Sequence, residues 1–534
     1  MGVGWGKVWW WGFGWEFLGM EVWVMKEVLR LGERDNIGIA ARALEEGAKV
    51  LGVVVKGGVA LGHKVALGRI EKGEAVYKYG QIIGFATQEI EPGEWVHAHN
   101  LTAGAFDRDY AFCSEVPTPP EPIRDATFMG FRRADGKAAT RNYVAVISTV
   151  NCSATVSKYI TERFDKQLLA QYPNIDGLLP ITHKVGCAMQ YDGEDHRQLS
   201  RTLAGYAKHA NIGAFLIVGL GCETGTVGHI VQNHQLVQLS GVKMPHTMQS
   251  GPPILHIQDS GGTMQTIEAG IRALAEMLPA ANDVRRVSIP ASEIIMGLEC
   301  GGSDGNSGVS ANPALGIASD MLVAAGGTAV LAETSEVYGA EHLLTRRAVS
   351  RAVGEKLVER IRWWEQYAAK FGVVIDNNPS PGNKAGGLTT IYEKSLGAVA
   401  KAGSTALCDV FQYAEPITTK GLVLMDTPGY DPVSVTGMVA GGANVVCFTT
   451  GRGSCFGCKP VPSIKIATNT PMYERLRDDM DVNAGVVLSG TPLADVGRQI
   501  FELVLEVASG KKTKSELNGL GDEEFAPWNI GPTL

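Results

Sequence analysis

Three glycine-rich turns, each following an apolar run, carry the side chains whose types suit catalysis or metal binding. The turns hold Glu299, Cys300 and Asp304, then Cys222 and Glu223, and finally His183 and Cys187. Thiols, carboxylates and imidazoles are common ligands of metal ions, and glycine lets the backbone turn tightly and approach a ligand closely. A single such turn can also be a strand-to-helix connection with a buried cysteine. Three together predict a metal or anion site.

The elements that position these turns follow from an alternation of strand-like and helix-length segments that begins at Phe131. Apolar runs at 143–147, 177–181 and 214–218 alternate with helix-length segments at 155–163 and 195–208. This alternation is typical of a parallel α/β sheet. Because open sheets bind ligands at the carboxyl ends of their strands, we expect the polar turns to lie there.

The sequence predicts an α/β protein with a small all-β domain near its amino end. Short strands and glycine turns occupy 25–101, and the proline-rich segment 102–125 is interpreted as an extended linker. A first α/β domain is assigned to 126–285 and a second to 286–534. The second contains strand-like runs at 293–296, 327–331, 422–425 and 444–449 and a long helical segment at 347–371.

Length, charge and cysteine content narrow the class of protein. A chain of 534 residues is long enough for several domains. The net charge of -8, without a Lys/Arg-dense block, argues against a nucleic-acid partner. Beyond the first 24 residues the sequence contains no run of 18 or more apolar residues, so we do not expect a membrane span. Nine cysteines in a long chain favour a reducing compartment, so we expect a cytoplasmic protein.

The first 24 residues differ from the rest of the chain. They contain six of the ten tryptophans, interleaved with glycine, and have no clear secretory signal. We interpret residues 1–24 as a mis-annotated or disordered extension, with translation expected to start at Met20 or Met25.

A series of motifs in order along the chain resembles the altronate/galactarate dehydratase family. The motifs are His63-Lys64-Val65-Ala66-Leu67, His97-Ala98-His99-Asn100, Gly219-Leu220-Gly221-Cys222-Glu223, Glu299-Cys300-Gly301-Gly302-Ser303-Asp304, Asn378-Pro379-Ser380-Pro381-Gly382-Asn383-Lys384 and Thr449-Thr450-Gly451-Arg452-Gly453. The resemblance implies a β-clip (SAF-type) domain, a middle dimerisation domain and a C-terminal Rossmann-like domain with a metal site. It also implies a homodimer that requires iron and eliminates water from small sugar acids to give 2-keto-3-deoxy acids.

Within the family, the segment at 97–100 is more similar to the altronate branch, so D-altronate is the expected substrate. Galactarate, another aldonate or aldarate, and sulfolactate are the alternatives within the same family. A nucleotide-dependent oxidoreductase is the alternative of another class, because Gly219 and Gly221 superficially resemble a dinucleotide-binding turn. The third glycine of that fingerprint is misplaced here.

Dehydration of a sugar acid removes a proton from the carbon beside a carboxylate, which is a very weak acid. A divalent metal chelated by the substrate stabilises the resulting enolate, while a base takes the C2 proton and an acid protonates the departing C3 hydroxide. The expected ligands are Cys152, Cys187, Cys222, Glu223, Cys300 and Asp304. Mixed thiolate and carboxylate ligands suit Fe²⁺, with Mn²⁺ as a substitute, and an iron–sulfur cluster with an open iron is the alternative.

The remaining candidates are assigned to proton transfer and substrate binding. The catalytic candidates are His63, Lys64, His183 and Lys384, and the substrate-binding candidates are His97, His99, Asn378, Asn383 and Arg452. His97 and His99 are expected on one face of a strand, because side chains repeat every second residue. Arginine suits bidentate recognition of a carboxylate. We expect the β domain to cover the α/β site, and we assign the other histidines structural roles.

Overall fold

The order of sheet types along the chain confirms the predicted fold class. A computed structural model describes residues 27–104, 108–225, 227–236, 252–376 and 378–530. Small antiparallel sheets come first, a parallel α/β sheet follows, and a seven-stranded parallel sheet lies in the last part. The proposed extension at residues 1–24 lies outside the described residues.

The β domain consists of short strands separated by glycine turns. Its strands are β1 (Val28–Leu29), β2 (Ile37–Ala40), β3 (Lys49–Val50), β4 (Val53–Val54), β5 (Lys64–Ala66), β6 (Ala75–Lys78), β7 (Gln81–Ala86), β8 (Trp95–Val96) and β9 (Leu101–Thr102). β1-β2-β5-β8 and β6-β7-β9 form two antiparallel sheets, and β3 pairs with β4. Ile39, Val65 and Val96 are buried between these strands, which gives the domain an apolar core.

The middle domain is a parallel sheet with helices on both faces. Its elements are β10 (Thr127–Arg132), β11 (Ala138–Ala139), β12 (Tyr143–Ser148), α1 (Asn151–Glu162), α2 (Lys166–Leu169), β13 (Gly177–Ile181), α3 (Glu194–Ala207), β14 (Ile212–Gly219), α4 (Val227–His234), β15 (Ile254–His256), α5 (Thr263–Asn282) and β16 (Arg286–Pro290). The parallel order is β13-β12-β14-β15. β12 and β14 are buried along their whole length, as expected for strands covered on both faces.

An antiparallel ribbon closes the middle domain. β10 pairs with β16, so the first and last strands of the domain lie side by side, and β11 adds to the other edge of β10. The proposed boundary after residue 285 lies directly before β16.

The C-terminal domain is built on a parallel sheet of order β19-β20-β18-β17-β21-β22-β23 among the described residues. Its elements are β17 (Ile295–Cys300), α6 (Ala311–Ala324), β18 (Thr328–Leu331), α7 (His342–Arg346), α8 (Arg351–Lys370), α9 (Pro381–Ala385), α10 (Ile391–Val399), β19 (Leu407–Phe411), β20 (Gly421–Met425), α11 (Asp431–Gly441), β21 (Val445–Thr450), β22 (Ser463–Ala467), α12 (Thr470–Arg475), β23 (Val482–Asn483), α13 (Leu493–Ala508) and α14 (Lys514–Leu517). The chain starts at the central strand β17, builds one side through β18 and then the other through β21. A crevice at the carboxyl end of β17 is therefore expected.

The proline-rich segment after the β domain packs along the C-terminal domain. Arg108 forms an ion pair with Glu341 at 2.7 Å, and the backbone N–H of Cys113 donates to the carbonyl of Thr345. The described residues 108–125 contain no helix or strand. The segment that follows the β domain is therefore attached to α7 and to Glu341, directly before α7.

The β domain contacts the C-terminal domain through glycine backbones that nearly touch. A Cβ built on Gly305 would overlap the carbonyl of Gly62, and Gly387, at φ +105°, approaches the same carbonyl. Only glycine allows both the positive φ and this close approach.

We expect Gly305→Ala to lower the free energy of unfolding by about 1–3 kcal/mol, because the added methyl group forces the two backbones apart. Denaturant unfolding measures the change. Gly68→Ala is the matched control, because a Cβ there would meet open space. Equal stability of the two variants would contradict a tight interface.

Candidate active site

A pocket of about 500 Å³ lies at the carboxyl end of β17 in the C-terminal domain. Its polar lining includes Cys300, Glu336, Asn378, Lys394 and Asp431. These residues come from the end of β17, the turn after β18, the segment before α9, helix α10 and the start of α11. The pocket thus occupies the crevice that the strand order predicts.

Four carboxyl groups and one thiol converge beside this pocket. Ligand atoms of Cys300, Glu333 and Glu336 lie within 4.8 Å of one another, and so do those of Glu299, Glu333 and Asp431. Glu299 and Glu333 are fully buried, and the hydroxyl of Ser434 donates to Glu299 Oε2 at 2.8 Å. Buried carboxylates at this spacing require a positive partner.

Glu333 is held in an unusual backbone conformation. Its φ is +63°, which is uncommon for a residue other than glycine, and its N–H donates to Thr427 Oγ1 at 2.8 Å. Strained residues of this kind concentrate at functional sites. The bond to Thr427 helps to aim the carboxyl group at its neighbours.

Two buried lysines supply part of the compensating charge. Lys394 Nζ donates to Glu336, and Lys401 Nζ lies 3.4 Å from Glu333 Oε2. Burial acts against both ammonium groups, but the nearby carboxylates raise the pKa of Lys394, Glu336 foremost. Burial acts against the Glu336 carboxylate as well, and Lys394 lowers its pKa below the usual value. Lys394 and Glu336 therefore form a buried ion pair.

The other carboxyl groups lack enough positive charge. Burial, followed by the neighbouring Glu336, raises the pKa of Glu333 to about 8, and burial with Glu333 raises the pKa of Glu299. Burial raises the pKa of Asp431 to about 6. Among the described residues, Glu299 Oε1 and Glu333 Oε1 have no hydrogen-bond donor. Orphaned, electron-rich oxygens beside a thiol fit a bound divalent cation.

Three of the predicted site residues lie at this pocket. Cys300 donates to Glu336 Oε2 at 3.4 Å. Asn378 Nδ2 donates to Glu336 Oε1 at 2.8 Å, while its Oδ1 accepts from Lys394 Nζ at 2.7 Å. Asn383 lines the pocket near the start of α9 and donates to the carbonyl of Ser303 at 2.8 Å.

Asp304 does not join the carboxylate group, which corrects its assignment as a metal ligand. It is buried and accepts hydrogen bonds from Thr468 Oγ1 at 2.9 Å and Asn469 Nδ2 at 3.1 Å. It also accepts from Ser307 and Asn306 in its own turn. Asp304 therefore holds neighbouring loops together, and its lone pairs are already used.

His63 and Lys64 hold the β domain in place, which corrects their assignment as catalytic groups. Lys64 Nζ is fully buried between Glu393 Oε2, at 2.9 Å, and the carbonyl of Gly387. His63 Nε2 lies 3.3 Å from the carbonyl of Ala385, and its Nδ1 accepts from Trp95 Nε1. Neither side chain has a free atom to exchange protons with a substrate in the pocket.

His97 and His99 lie in a turn after β8, so the predicted shared strand face is wrong. Both rings nevertheless contact Trp95, at centroid distances of 4.9 and 5.0 Å. Burial and the charge of Lys64 lower the pKa of His97 to about 4. These rings form a cluster with His63 near the end of α9.

Lys384 and Arg452 lie close to the pocket but do not line it. Lys384 is half-buried on α9, next to Asn383. Arg452 is exposed, and its backbone N–H donates to the carbonyl of Gly302, a residue that lines the pocket. Both therefore lie at the rim.

The cysteines of the middle domain belong to another sheet edge, so the expected single site with Cys300 is wrong. Cys152, Cys187 and Cys222 are exposed and follow β12, β13 and β14. None of them joins the described ligand groups around Cys300.

Glu223 holds the turn before Cys222, and it joins none of the ligand groups found among the described residues. Its Oε1 accepts from Thr149 Oγ1 at 2.8 Å and its Oε2 accepts from the N–H of Gly221 at 2.6 Å. The same bond occupies an N–H that a dinucleotide-binding turn would offer to a phosphate. The structure therefore weakens the oxidoreductase alternative.

His183 is a structural histidine, which corrects its assignment as a base. Its Nε2 lies 2.9 Å from the carbonyl of Ser148, and its Nδ1 accepts from the N–H of Val185. Burial lowers its pKa to about 4. Because both ring nitrogens are bonded to the backbone, the imidazole keeps one neutral tautomer.

Sequence reasoning missed most of the residues that complete the pocket. Glu333 and Glu336 directly follow β18, and Asp431 follows the turn after β20. The signal that identified Cys300 was a polar side chain at the end of an apolar strand, and the same signal applies to these acidic residues. Lys394 lies inside helix α10 with no motif around it, so only the tertiary structure reveals its role.

Comparisons with known proteins match every domain of the chain. The profile for an altronate/galactarate dehydratase SAF domain matches residues 26–104, a D-galactarate dehydratase/altronate hydrolase second domain matches 130–282, and a D-galactarate/altronate dehydratase C-terminal domain matches 291–533. An altronate dehydratase of Bacillus subtilis is 37% identical over 96% of this chain and 100% of its own length. The chain belongs to the D-galactarate/altronate dehydratase family.

Two further relatives support this membership. The altronate dehydratase of Escherichia coli is 36% identical, over 95% of this chain and all of its own length. The galactarate dehydratase (L-threo-forming) of the same organism is 35% identical over 94% of this chain and 97% of that protein. Membership makes the chain an enzyme of the hydro-lyase class that acts on sugar acids. No helix in the described part is long and apolar enough to cross a membrane.

Proposed function

We propose that this enzyme dehydrates D-altronate to 2-dehydro-3-deoxy-D-gluconate, by removal of the C2 proton and loss of the C3 hydroxyl. The buried group of carboxylates and lysines at the carboxyl end of β17 is the observation that carries the proposal. It combines a place for a cation, two ammonium groups and a pocket of about 500 Å³, which is large enough for a six-carbon acid.

Glu299, Cys300, Glu333, Glu336 and Asp431 are the residues that would hold a divalent cation, with Fe²⁺ favoured over Mn²⁺ because of the thiol. When bound, the ion supplies the positive charge that stabilises the enolate. The orphaned oxygens of Glu299 and Glu333 support this assignment.

Lys394 and Asn378 are assigned to the substrate. Lys394 stays protonated because Glu336 raises its pKa. Its ammonium group therefore attracts the carboxylate of the substrate and stabilises the negative charge that develops at C1. The amide of Asn378 suits a hydroxyl group.

The rim residues take the remaining roles in the proposal. Lys384 on α9 is assigned to proton transfer, and Arg452 to the distal part of the sugar acid. His97 and His99 stay assigned to substrate binding through the ring cluster beside α9.

Removal of metal is expected to lower kcat by at least about a hundredfold, since a Lewis acid contributes several kcal/mol to stabilising the enolate. The protein is dialysed anaerobically against a chelator, and keto-acid formation is measured before and after Fe²⁺ is returned. Recovery with Fe²⁺ supports the proposal. Undiminished turnover of stripped protein would contradict it.

A substrate panel tests the choice of sugar acid. D-altronate, galactarate and sulfolactate are offered to the iron-loaded enzyme at equal concentrations, with pyruvate-type keto acids and sulfite as products to be measured. We expect kcat/KM to be highest for D-altronate. A higher kcat/KM for galactarate would make galactarate the substrate and would leave the proposed dehydration unchanged. Galactarate is the first alternative because the altronate and galactarate dehydratases of Escherichia coli are 36% and 35% identical to this chain.

We also propose a homodimer formed through the middle domain, in a reducing cytoplasm. Exposed apolar side chains on two packed helices, Tyr159 on α1 and Met264 on α5, support such an interface. The nine free cysteines are compatible with reducing conditions.

A further inference from the structure

We propose that the middle domain binds an iron–sulfur cluster through Cys152, Cys187 and Cys222, with one iron left without a protein ligand. This centre is separate from the carboxylate group of the C-terminal domain and does not depend on which sugar acid is the substrate. The chemical class of the cofactor is a cubane cluster of iron and sulfide, which protein thiolates ligate.

The topology brings the three thiols to one edge. β13, β12 and β14 are adjacent and parallel, and each is followed by one of the cysteines. The carboxyl ends of adjacent parallel strands are neighbours in space, so three positions that are distant in sequence share one face of the fold.

Direct contacts hold the three loops together. The N–H of Asn151, next to Cys152, donates to the carbonyl of Val185 at 3.0 Å, and the N–H of Gly225 donates to the carbonyl of Gly186 at 3.3 Å. Glu223 adds the third connection through Thr149. These bonds connect the start of α1, which carries Cys152, with the loops that carry Cys187 and Cys222.

Two glycines allow the loops to approach each other. Gly186, directly before Cys187, has φ +109°, and a Cβ on it would collide with the backbone of Thr149 and Val150. Gly221, directly before Cys222, has φ +125°. Cys187 and Cys222 thus each follow a turn that only glycine forms without strain.

The exposure of the thiols also points to a ligand. Free cysteine is among the most buried residue types, yet these three and Cys455 are exposed, whereas Cys300, Cys447 and Cys458 are buried. Their sulfur atoms are not all within 4.8 Å of one another. A single tetrahedral ion with metal–sulfur bonds of about 2.3 Å requires shorter distances between the three sulfur atoms. A cubane binds each thiolate at a different iron, so the sulfur atoms lie further apart.

A buried histidine faces the same loops. His196 is buried, its Nε2 has no hydrogen-bond partner among the described residues, and a Cβ on Gly225 would lie 3.7 Å from that atom. Its Nδ1 accepts from the N–H of Asp192, which leaves Nε2 as the donor. An unpartnered N–H donor near Gly225, three residues after Cys222, suits an anionic centre at these loops.

The test is anaerobic reconstitution of the full-length protein with ferrous iron and sulfide. We expect uptake of about four iron and four sulfide per chain, with a broad visible absorption. Cys222→Ser and Cys187→Ser should lose most of the sulfide and absorption, with an unchanged thermal midpoint, since both thiols are exposed. Cys455→Ser, at an exposed cysteine elsewhere, is the matched control and should keep both.

Further outcomes separate this centre from the proposed function. Glu333→Gln should retain the absorption even where turnover is lost, because Glu333 belongs to the other sheet. Binding of zinc without sulfide, an absence of sulfide uptake by the wild-type protein, or full absorption in Cys222→Ser would each overturn the inference.

Discussion

Replacement of Lys394 by alanine is expected to lower kcat/KM for the sugar acid by about 100- to 1000-fold, the usual cost of losing one stabilising donor in an active site. The ammonium group lies in the pocket between Glu336 and Asn378, where it meets the charge of the enolate. Because that charge develops only in the transition state, kcat should fall more than KM rises. Initial rates of keto-acid formation measure both.

Lys370→Ala, at the exposed end of α8, is the matched control and should leave kcat/KM within about twofold, as surface substitutions usually do. Circular dichroism establishes whether the Lys394 variant is folded. A folded Lys394→Ala enzyme with near-normal kcat would contradict the assigned role, and Asn378→Ala would then identify which of the two groups binds the substrate.

Glu393→Gln is expected to lower the free energy of unfolding by about 3–5 kcal/mol, because the change leaves two buried ammonium groups without their carboxylate. Lys64 and Lys78 both contact Glu393, at 2.9 and 2.8 Å, and all three side chains are fully buried. The two lysines overcome burial and lower the pKa of Glu393 far below its ordinary value of 4.5. Denaturant unfolding of the full chain at neutral pH measures the loss.

The depressed pKa sets the direction of the pH dependence. The stabilisation by Glu393 is complete above pH 4.5 and declines as the pH falls below that value, since the unfolded chain then binds the proton more readily. The glutamine variant should lack this component. Glu355→Gln removes an exposed ion pair with Arg351 and should cost at most about 1 kcal/mol. Equal losses in the two variants would contradict a role of Glu393 in holding the β domain through Lys64 and Lys78.

Strand periodicity explains why the architecture was predictable. The predicted run 177–181 coincides with β13, and 143–147 differs from β12 by one residue. β12 is buried along its whole length and β13 is partly buried, so their apolar runs are continuous and their ends are marked by polar turns. The end of the short strand β8 was harder to predict, because the chain turns directly after Val96. His97 and His99 therefore lie in that turn and not in a strand.

The side-chain roles were harder to predict because identical residue types serve different purposes. Lys64 and Lys394 are both buried lysines beside a glutamate, but the first joins two domains and the second lines a pocket. Asp304 and Asp431 both follow glycine turns, and only the second joins the carboxylate group. The local sequence does not specify which side chains from other parts of the chain lie beside each buried charged group.

The sequence by itself determined the order of the domains, the carboxyl ends of the strands as the places for polar turns, and the family of the enzyme. These features depend on local periodicity and on motifs that are contiguous in the chain. Only the tertiary structure decided that Cys300 lies with Glu333 and Asp431 while the other strand-end cysteines lie on a second sheet. The physical reason is that burial and charge pairing depend on contacts between residues far apart in the chain, and the packing of the sheets fixes those contacts.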